Sequence, residues 1–487
     1  MTTTEFKSQK DLLSNSQQST TASSTIELNR HQQKYLENFI TRYNQRTKTS
    51  KQLSQTYRPV LADNKNLGNF SLLLKEIYYP IVAEHSSGSK MWDVDGNEYI
   101  DLMMGLGINL FGHNPPFIKE ALTKQLEKGI QIGPQSELVG EVAELISQLT
   151  GMERVAFSNT GTEAVMTAIR LARAVTGRTK IVIFSGSYHG HFDGTLVKGQ
   201  RTNGNILTLP IAPGIPSNFV KDVLVLDYDS PQSLEIIQAY EQELAAVLVV
   251  PVQTKRPALQ PKAFLQRLRQ LTTKLGIALI FDEMVTGFRI HPGGAQAYFD
   301  VEADIATYGK IVGGGMPIGI IAGKAVFMNA IDGGMWNYGD NSYPQAQKTF
   351  FAGTFCKHPL AMAAARAVLR HLQTEGETLQ ADLNQRTSRF VETLNSFFEN
   401  NAIPLKMANF GSLFGSAAIE DENEDSEPDS AIDCCMELLR YNLLDRGIHL
   451  LGASGYLSVA HTQEDIEQIL QAIQDSLTEL GQGGFLG

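Results

Sequence analysis

The chain has 487 residues, 42% of them hydrophobic and 19% charged, with a formal net charge of −11. That length exceeds one small core and suits a large domain with a smaller one. The acidic balance excludes a nucleic-acid surface, whose phosphates demand lysine and arginine, and no apolar run approaches the roughly 18–20 residues of a membrane span.

Residues 1–55 read as a polar tail or linker with a helical segment. Ser14 to Thr25 is too polar to bury enough apolar area to offset its ordering entropy. Ile26 to Lys51 is helix-compatible, with Tyr35, Phe39 and Tyr43 at i, i+4 and i+8. No apolar stretch follows a basic patch at the start, so no secretory signal is expected. Residues 56–115 form an N-terminal segment, with Trp92 to Ile100 as a hairpin turning at Asp95-Gly96.

Residues 116–360 alternate short apolar runs with helical patterns: Lys180–Phe184, Val223–Leu226, Ala245–Val250 and Ile277–Phe281. Runs apolar on both faces are strands of a covered sheet, and helices between them predict βαβ units and a mostly parallel sheet. The expected fold is therefore α/β. Residues 361–487 read as a smaller α+β C-terminal domain, interrupted by the acidic run Glu420–Pro428, a solvated loop. Cys356, Cys434 and Cys435 supply neither a disulfide framework nor zinc-ligand spacing, and a reducing cytoplasm is the expected location.

The large domain carries chemistry at several predicted strand ends. Lys310 stands between the short strand Ile305–Tyr308 and the glycines Gly313-Gly-Gly315, which leave room for a bulky adduct. A lysine amine forms a Schiff base with an aldehyde. Asp282 ends the Ile277–Phe281 strand, where a carboxylate can keep a pyridine nitrogen protonated. The pair points to pyridoxal 5'-phosphate (PLP) as cofactor. Glu283 points away, since neighbouring strand residues face opposite sides.

Ser158-Asn-Thr-Gly-Thr-Glu163 opens a helix with Val165, Ala168, Ile169 and Ala172 on one face. A helix start offers amides and a positive dipole end to a phosphate, with Thr162 adding a hydroxyl and Gly161 a close approach. An ordinary N-cap by Asn159 or Thr160 explains the same residues. After Phe184 comes Ser185-Gly-Ser-Tyr-His-Gly-His191, where Tyr188 can stack on a planar ring. His189 and His191 are thin evidence for a metal, and His191 reads as a structural histidine rather than a metal ligand. Thr354, after Gly353, is either a further phosphate donor or a threonine at the entry of a helix from Pro359.

Taken together, Trp92 to Gly96, Asn159 to Glu163, Tyr188 to His191, Asp282 to Arg289, Gly309-Lys310 with Gly313 to Pro317, and Gly353-Thr354 resemble the class III PLP-dependent aminotransferases of fold type I. Glutamate-1-semialdehyde aminomutase is the nearest general match, from about Lys75 to the C-terminus. The resemblance implies Lys310 as the Schiff-base lysine and acid/base, Asp282 on the pyridine nitrogen and Tyr188 on the ring. It implies Asn159, Gly161, Thr162, His189 and Val285 among the cofactor contacts. Gly353 and Thr354 would reach the phosphate of a partner subunit, making a homodimer the working unit.

Three stretches, Tyr35 to Tyr43, Thr56 to Asp63 and Asp332 to Asp340, are similar to aminotransferase domains of hybrid polyketide–nonribosomal peptide synthetases. That narrower likeness implies transfer of an amine from an amino-acid donor such as glutamate to a β-ketoacyl thioester on an acyl carrier protein. The alternative is an aminomutase that moves an amine within one molecule. Where the aminomutase has Ser-Pro-Val-Arg, the local match here is Arg58-Pro-Val60 followed by Leu61, without the arginine that holds a substrate carboxylate. Asn329 to Lys348 is longer than in the aminomutase and carries Trp336, Tyr338 and Tyr343. Val250-Pro251 stands where many class III enzymes have Glu-Pro.

Overall fold

The computed structural model describes residues 28–63, 70–202, 205–417, 430–450, 452 and 454–486. The polar stretch Ser14 to Thr25 and the acidic run Glu420–Pro428 lie outside them.

Seven strands make the central sheet: β1 (Arg154–Ser158), β2 (Lys180–Phe184), β3 (Val223–Leu226), β4 (Leu244–Val249), β5 (Ala278–Asp282), β6 (Ile305–Gly309) and β7 (Gly319–Gly323). Their spatial order is β1-β7-β6-β5-β4-β2-β3. The pairings are parallel except that β7 runs antiparallel to both β6 and β1.

The alternation of the strands divides two apolar layers. Ile181, Ile183, Ala246, Leu248, Ala278 and Ile280 face one core, shared with Ala164, Ala168 and Ala172 of the helix Gly161–Thr176. Val182, Phe184, Val247, Val249, Leu279 and Phe281 face the other, against Phe264 and Leu268 of the helix Lys262–Leu275 and the alanine-rich helix Pro359–Glu375. A sheet covered on both sides needs such runs, and small alanines let the first helix lie close across its centre.

The hairpin forms between Lys90–Asp93 and Glu98–Asp101. Gly96 turns with φ +82, and Asp93 Oδ1 accepts from the amides of Asp95 (3.0 Å) and Asn97 (2.8 Å). Ile448–His449 adds to this sheet parallel to Glu98–Asp101. Asp101, buried there, has His113 Nε2 and His449 Nδ1 each at 2.8 Å, and their hydrogen bonds and charge outweigh burial to hold its carboxyl far below the usual range. First and last parts of the chain are thus locked together.

The stretch read as helix-compatible becomes Arg30–Arg46 and Lys48–Tyr57. Asn29 caps the first in a capping box with Gln32. Tyr35, Phe39 and Tyr43 stack along one face, with centroids 6.3 and 6.1 Å apart. Leu36, Phe39 and Tyr43 share a core with Leu438, Tyr441, Leu444 and Leu480 from the C-terminal helices. Arg42 closes the edge on Asp445 (2.6 Å) and Glu479 (2.9 Å).

Truncating a fully buried aromatic there leaves a cavity. Phe39→Ala is expected to cost about 3–5 kcal/mol, read as a shift in the urea unfolding midpoint.

Candidate active site

The sheet's carboxyl edge assembles the site. Asp282 is the last residue of β5 and falls on the face of Ala278 and Ile280, the side of the helix Gly161–Thr176. It is 3% exposed. His189 Nδ1, from the loop after β2, lies 2.8 Å from Asp282 Oδ2. Thr307, the register partner of Asp282 on β6, donates its hydroxyl to Oδ1 at 3.2 Å. The Met284 amide also donates to Oδ1 at 3.2 Å, so the aspartate caps its strand-to-loop turn while its other oxygen meets the histidine.

Glu283 turns to the opposite side, as strand alternation requires. Its carboxylate accepts from the Ala295 and Gln296 amides at 3.0 Å each and from Thr286 Oγ1 at 2.5 Å. Burial nevertheless pushes its pKa up to about 7, against those three donors.

Lys310 follows Gly309 at the end of β6 and takes a left-handed φ of +48, rare for a residue with a side chain. Burial lowers its amine from the ordinary lysine value. Asp282 pulls the other way, and the nearby Arg289 adds to the lowering. A Cβ on Gly309 would sit 2.8 Å from Met284 Sδ and 3.0 Å from the Ile318 carbonyl oxygen, so the chain before the lysine is closely packed.

Around the start of the helix Gly161–Thr176, Thr160 is the N-cap, its hydroxyl accepting from the Glu163 amide at 3.2 Å. Glu163 Oε2 accepts in return from the Asn159 amide at 2.7 Å. The ordinary capping role thus belongs to Thr160, and the amides of Gly161 and Thr162 have no partner within the helix. Thr162 Oγ1 accepts from the His191 amide at 3.2 Å. A Cβ on Gly190, with φ +81, would lie 2.4 Å from Thr162 Oγ1, and one on Gly161 would lie 2.8 Å from Met284 Sδ. The two loops and Met284 therefore pack as closely as glycine allows, leaving a helix start with free donors beside a hydroxyl.

Tyr188 is 72% exposed while His189 beside it is buried. Val285 packs with Met104, Leu413 and Tyr456. Gly353 lies against the same chain's Asn159: its Cβ would be 3.4 Å from Asn159 Nδ2. Thr354 is exposed. Leu61 follows the helix Lys48–Tyr57 with its side chain largely in solvent. Arg154 pins Asp332 at 2.7 Å, and beyond it Met335, Tyr338 and Tyr343 stand exposed with Trp336 edge-on to Tyr338. Val250 is buried.

Sequence reasoning missed three participants. Thr307 becomes visible only through the register of β5 and β6. Arg289 is buried without a carboxylate partner among the bonds described: it donates to Val285 O (3.0 Å), Ser412 Oγ (2.8 Å) and Gly107 O, with its guanidinium 4.8 Å from the Tyr456 ring centre. Burial pushes it down to about 10. Gly107 ends a run with positive φ at Met104, Gly105, Leu106 and Gly107, and a Cβ there would strike both Tyr456 and Arg289. No periodic pattern announces such a turn.

The residues present fit PLP. A buried lysine of lowered basicity, a carboxylate anchored on two strands, an exposed ring and a helix start with free amides are the groups its aldehyde, pyridine nitrogen, ring face and phosphate require.

Two measurements bear on this geometry. Borohydride trapping with PLP at neutral pH, read by peptide mass spectrometry, is expected to label Lys310 ahead of exposed lysines and to leave Lys310→Ala unlabelled at that peptide. Because the folded-state pKa of Glu283 is raised, the folded chain holds a proton that the unfolded chain releases between pH 4.5 and about 7. Stability contributed by this group is present below that window and lost as pH rises through it. The wild type is expected to lose on the order of 3 kcal/mol across it, a slope that Glu283→Gln abolishes in denaturation curves.

A family model described as aminotransferase class-III matches residues 75–477. Among curated proteins, glutamate-1-semialdehyde 2,1-aminomutase of Chloroflexus aggregans is 36% identical over 415 residues, covering 82% of this chain and 91% of that one. Among solved structures, an omega-transaminase from Sphaerobacter thermophilus superposes with a TM-score of 0.78 at 29% identity, covering 88% of this chain and 97% of that one. A beta-phenylalanine aminotransferase from Variovorax paradoxus gives 0.76 at 27%, covering 92% and 98%. With the family model spanning most of its length, this chain belongs to the class III aminotransferases, PLP-dependent enzymes of fold type I.

Proposed function

We propose that this chain relocates an amino group onto a carbonyl carbon in the manner of a glutamate-1-semialdehyde 2,1-aminomutase. The observation that carries the reading is the 36% identity to a protein of that name over 82% of the chain. The curated relatives favour it over the carrier-bound thioester that the N-terminal stretches pointed to.

PLP, when bound, supplies an electron sink next to the carbon that bears the amine. Lys310 would hold the cofactor's aldehyde, and its Nζ, when free, would take a proton from the amine-bearing carbon of the substrate. Its lowered basicity, a consequence of burial, keeps a share of the amine neutral for that task. Asp282 would pair with the pyridine N–H, and the His189 and Thr307 contacts stop its carboxylate from rotating away. Thr162 and the amides of Gly161 and Thr162 would receive the phosphate, with Asn159 alongside. Tyr188 and Val285 would border the ring. Gly353 and Thr354 serve the site of a second copy, so the working unit is a homodimer. The exposure of Thr354, Phe350 and Phe355 in the single chain supports this.

One specific observation favours a second reading. Leu61 is exposed and apolar where the aminomutase match has an arginine, so this position offers a substrate carboxylate no bidentate partner. A β-ketoacyl thioester needs none, and the likeness to a beta-phenylalanine aminotransferase fits an amine placed at a β-carbon.

Supplied with glutamate 1-semialdehyde and no other donor, the enzyme is expected to form its isomer 5-amino-4-oxopentanoate, separated from the substrate by chromatography and identified by proton NMR. Absence of that product, together with 2-oxoglutarate release from glutamate and amination of a β-ketoacyl carrier protein, would establish the second reading instead.

A further inference from the structure

The strand order places β4 between β2 and β5. To reach Asp282 at the end of β5, His189 on the loop after β2 must therefore cross over the end of β4. The chain leaving β4 at that same end is Val250-Pro-Val-Gln253. Gln253 and His189 are both 2% exposed. Gln253 Nε2 donates to Ser185 O at 2.7 Å and to Ser187 Oγ at 2.9 Å, both on the loop that carries His189. With its donors committed, the amide is fixed in orientation, and Gln253 Oε1 is left as a buried acceptor without a protein partner. His189 Nε2 is likewise buried without one.

Two such atoms are costly unless satisfied. The nitrogen facing the Asp282 carboxylate is Nδ1, so Nδ1 carries the proton and Nε2 presents a lone pair. Gln253 Oε1 also presents lone pairs. Two acceptors cannot bond each other, but one water donating to both would satisfy each, and polar lined interiors hold such waters.

We propose that Gln253 is a positioning residue for the cofactor-facing aspartate: through one internal water shared with His189 Nε2, it holds the imidazole with its proton on Nδ1, aimed at Asp282. Strand alternation puts position 250 on the face to which Asp282 points, since Leu248 faces that layer. Val250 brings no second carboxylate to that face, and Gln253 meets Nε2 only as a neutral acceptor, consistent with the tautomer that Asp282 selects. The inference depends on the site chemistry shared by the family and not on which carbonyl compound is the substrate.

The test uses the full chain, labelled with 15N-histidine and prepared without PLP, with His189 assigned by comparison with His189→Gln. Long-range proton–nitrogen spectra are expected to show Nδ1 protonated and Nε2 bare. Gln253→Glu is expected to add a proton at Nε2. Gln253→Leu is expected to raise the PLP dissociation constant by about fivefold, the worth of one water-mediated bond. A wild-type His189 with a proton on Nε2 overturns the proposal, whatever the variants do. So does a folded Gln253→Glu whose His189 spectrum is unchanged. Loss of PLP affinity in Gln253→Leu without any change at His189 in either variant marks a packing role only, and also overturns it.

Discussion

The hydrogen bond between His189 and Asp282 is the contact on which the site depends. It joins the ends of two strands that are not neighbours, β2 and β5, over the end of β4. Thr307 adds β6 from the other side. An aspartate held from two directions at a buried edge has one orientation, and a fixed carboxylate costs little to reorganise when a positive pyridine nitrogen meets it. The adjoining glycines follow from this. Gly161, Gly190 and Gly309 are the places where loops from β1, β2 and β6 must approach within contact distance of Met284 or Thr162.

Burial sets the electrostatics in opposite senses on neighbouring groups. It lowers Lys310 and Arg289, raises Glu283, and in each case opposes the charged form. Lys310 and Asp282 are the useful consequence: an amine made easier to deprotonate beside a carboxylate kept in place. Glu283 is the structural one. It ties the loop after β5 to the Gly294–Phe299 helix, and so steadies the segment that also supplies Met284 and Val285.

Much of this was legible in the sequence, for physical reasons. The central strands announce themselves because a sheet covered on both faces needs uninterrupted apolar runs. Asp282 and Lys310 stood out as polar residues at the ends of such runs, and Glu283 was correctly turned away by the two-residue period. Thr307 was not legible, because nothing local specifies which residue of β6 lies beside Asp282. Gln253 was hidden for the same reason: its partners are on a different strand's loop. Arg289 and the left-handed turn at Met104 to Gly107 depend on Tyr456, about 170 and 350 residues further along, and no local pattern encodes that meeting. The aromatic face of Arg30–Arg46 was readable as a helix, but its destination among the C-terminal helices was not.

That destination has a consequence for how the chain is made. The stacked rings of Tyr35, Phe39 and Tyr43 leave a ribosome about 400 residues ahead of Tyr441, Leu444 and Leu480, which complete their core. Until those residues emerge, an apolar helix face waits in water while about 400 residues are added. At about 5–20 residues per second, that is tens of seconds or more. This core therefore closes late, and its waiting helix face is a surface that a nascent-chain chaperone would meet.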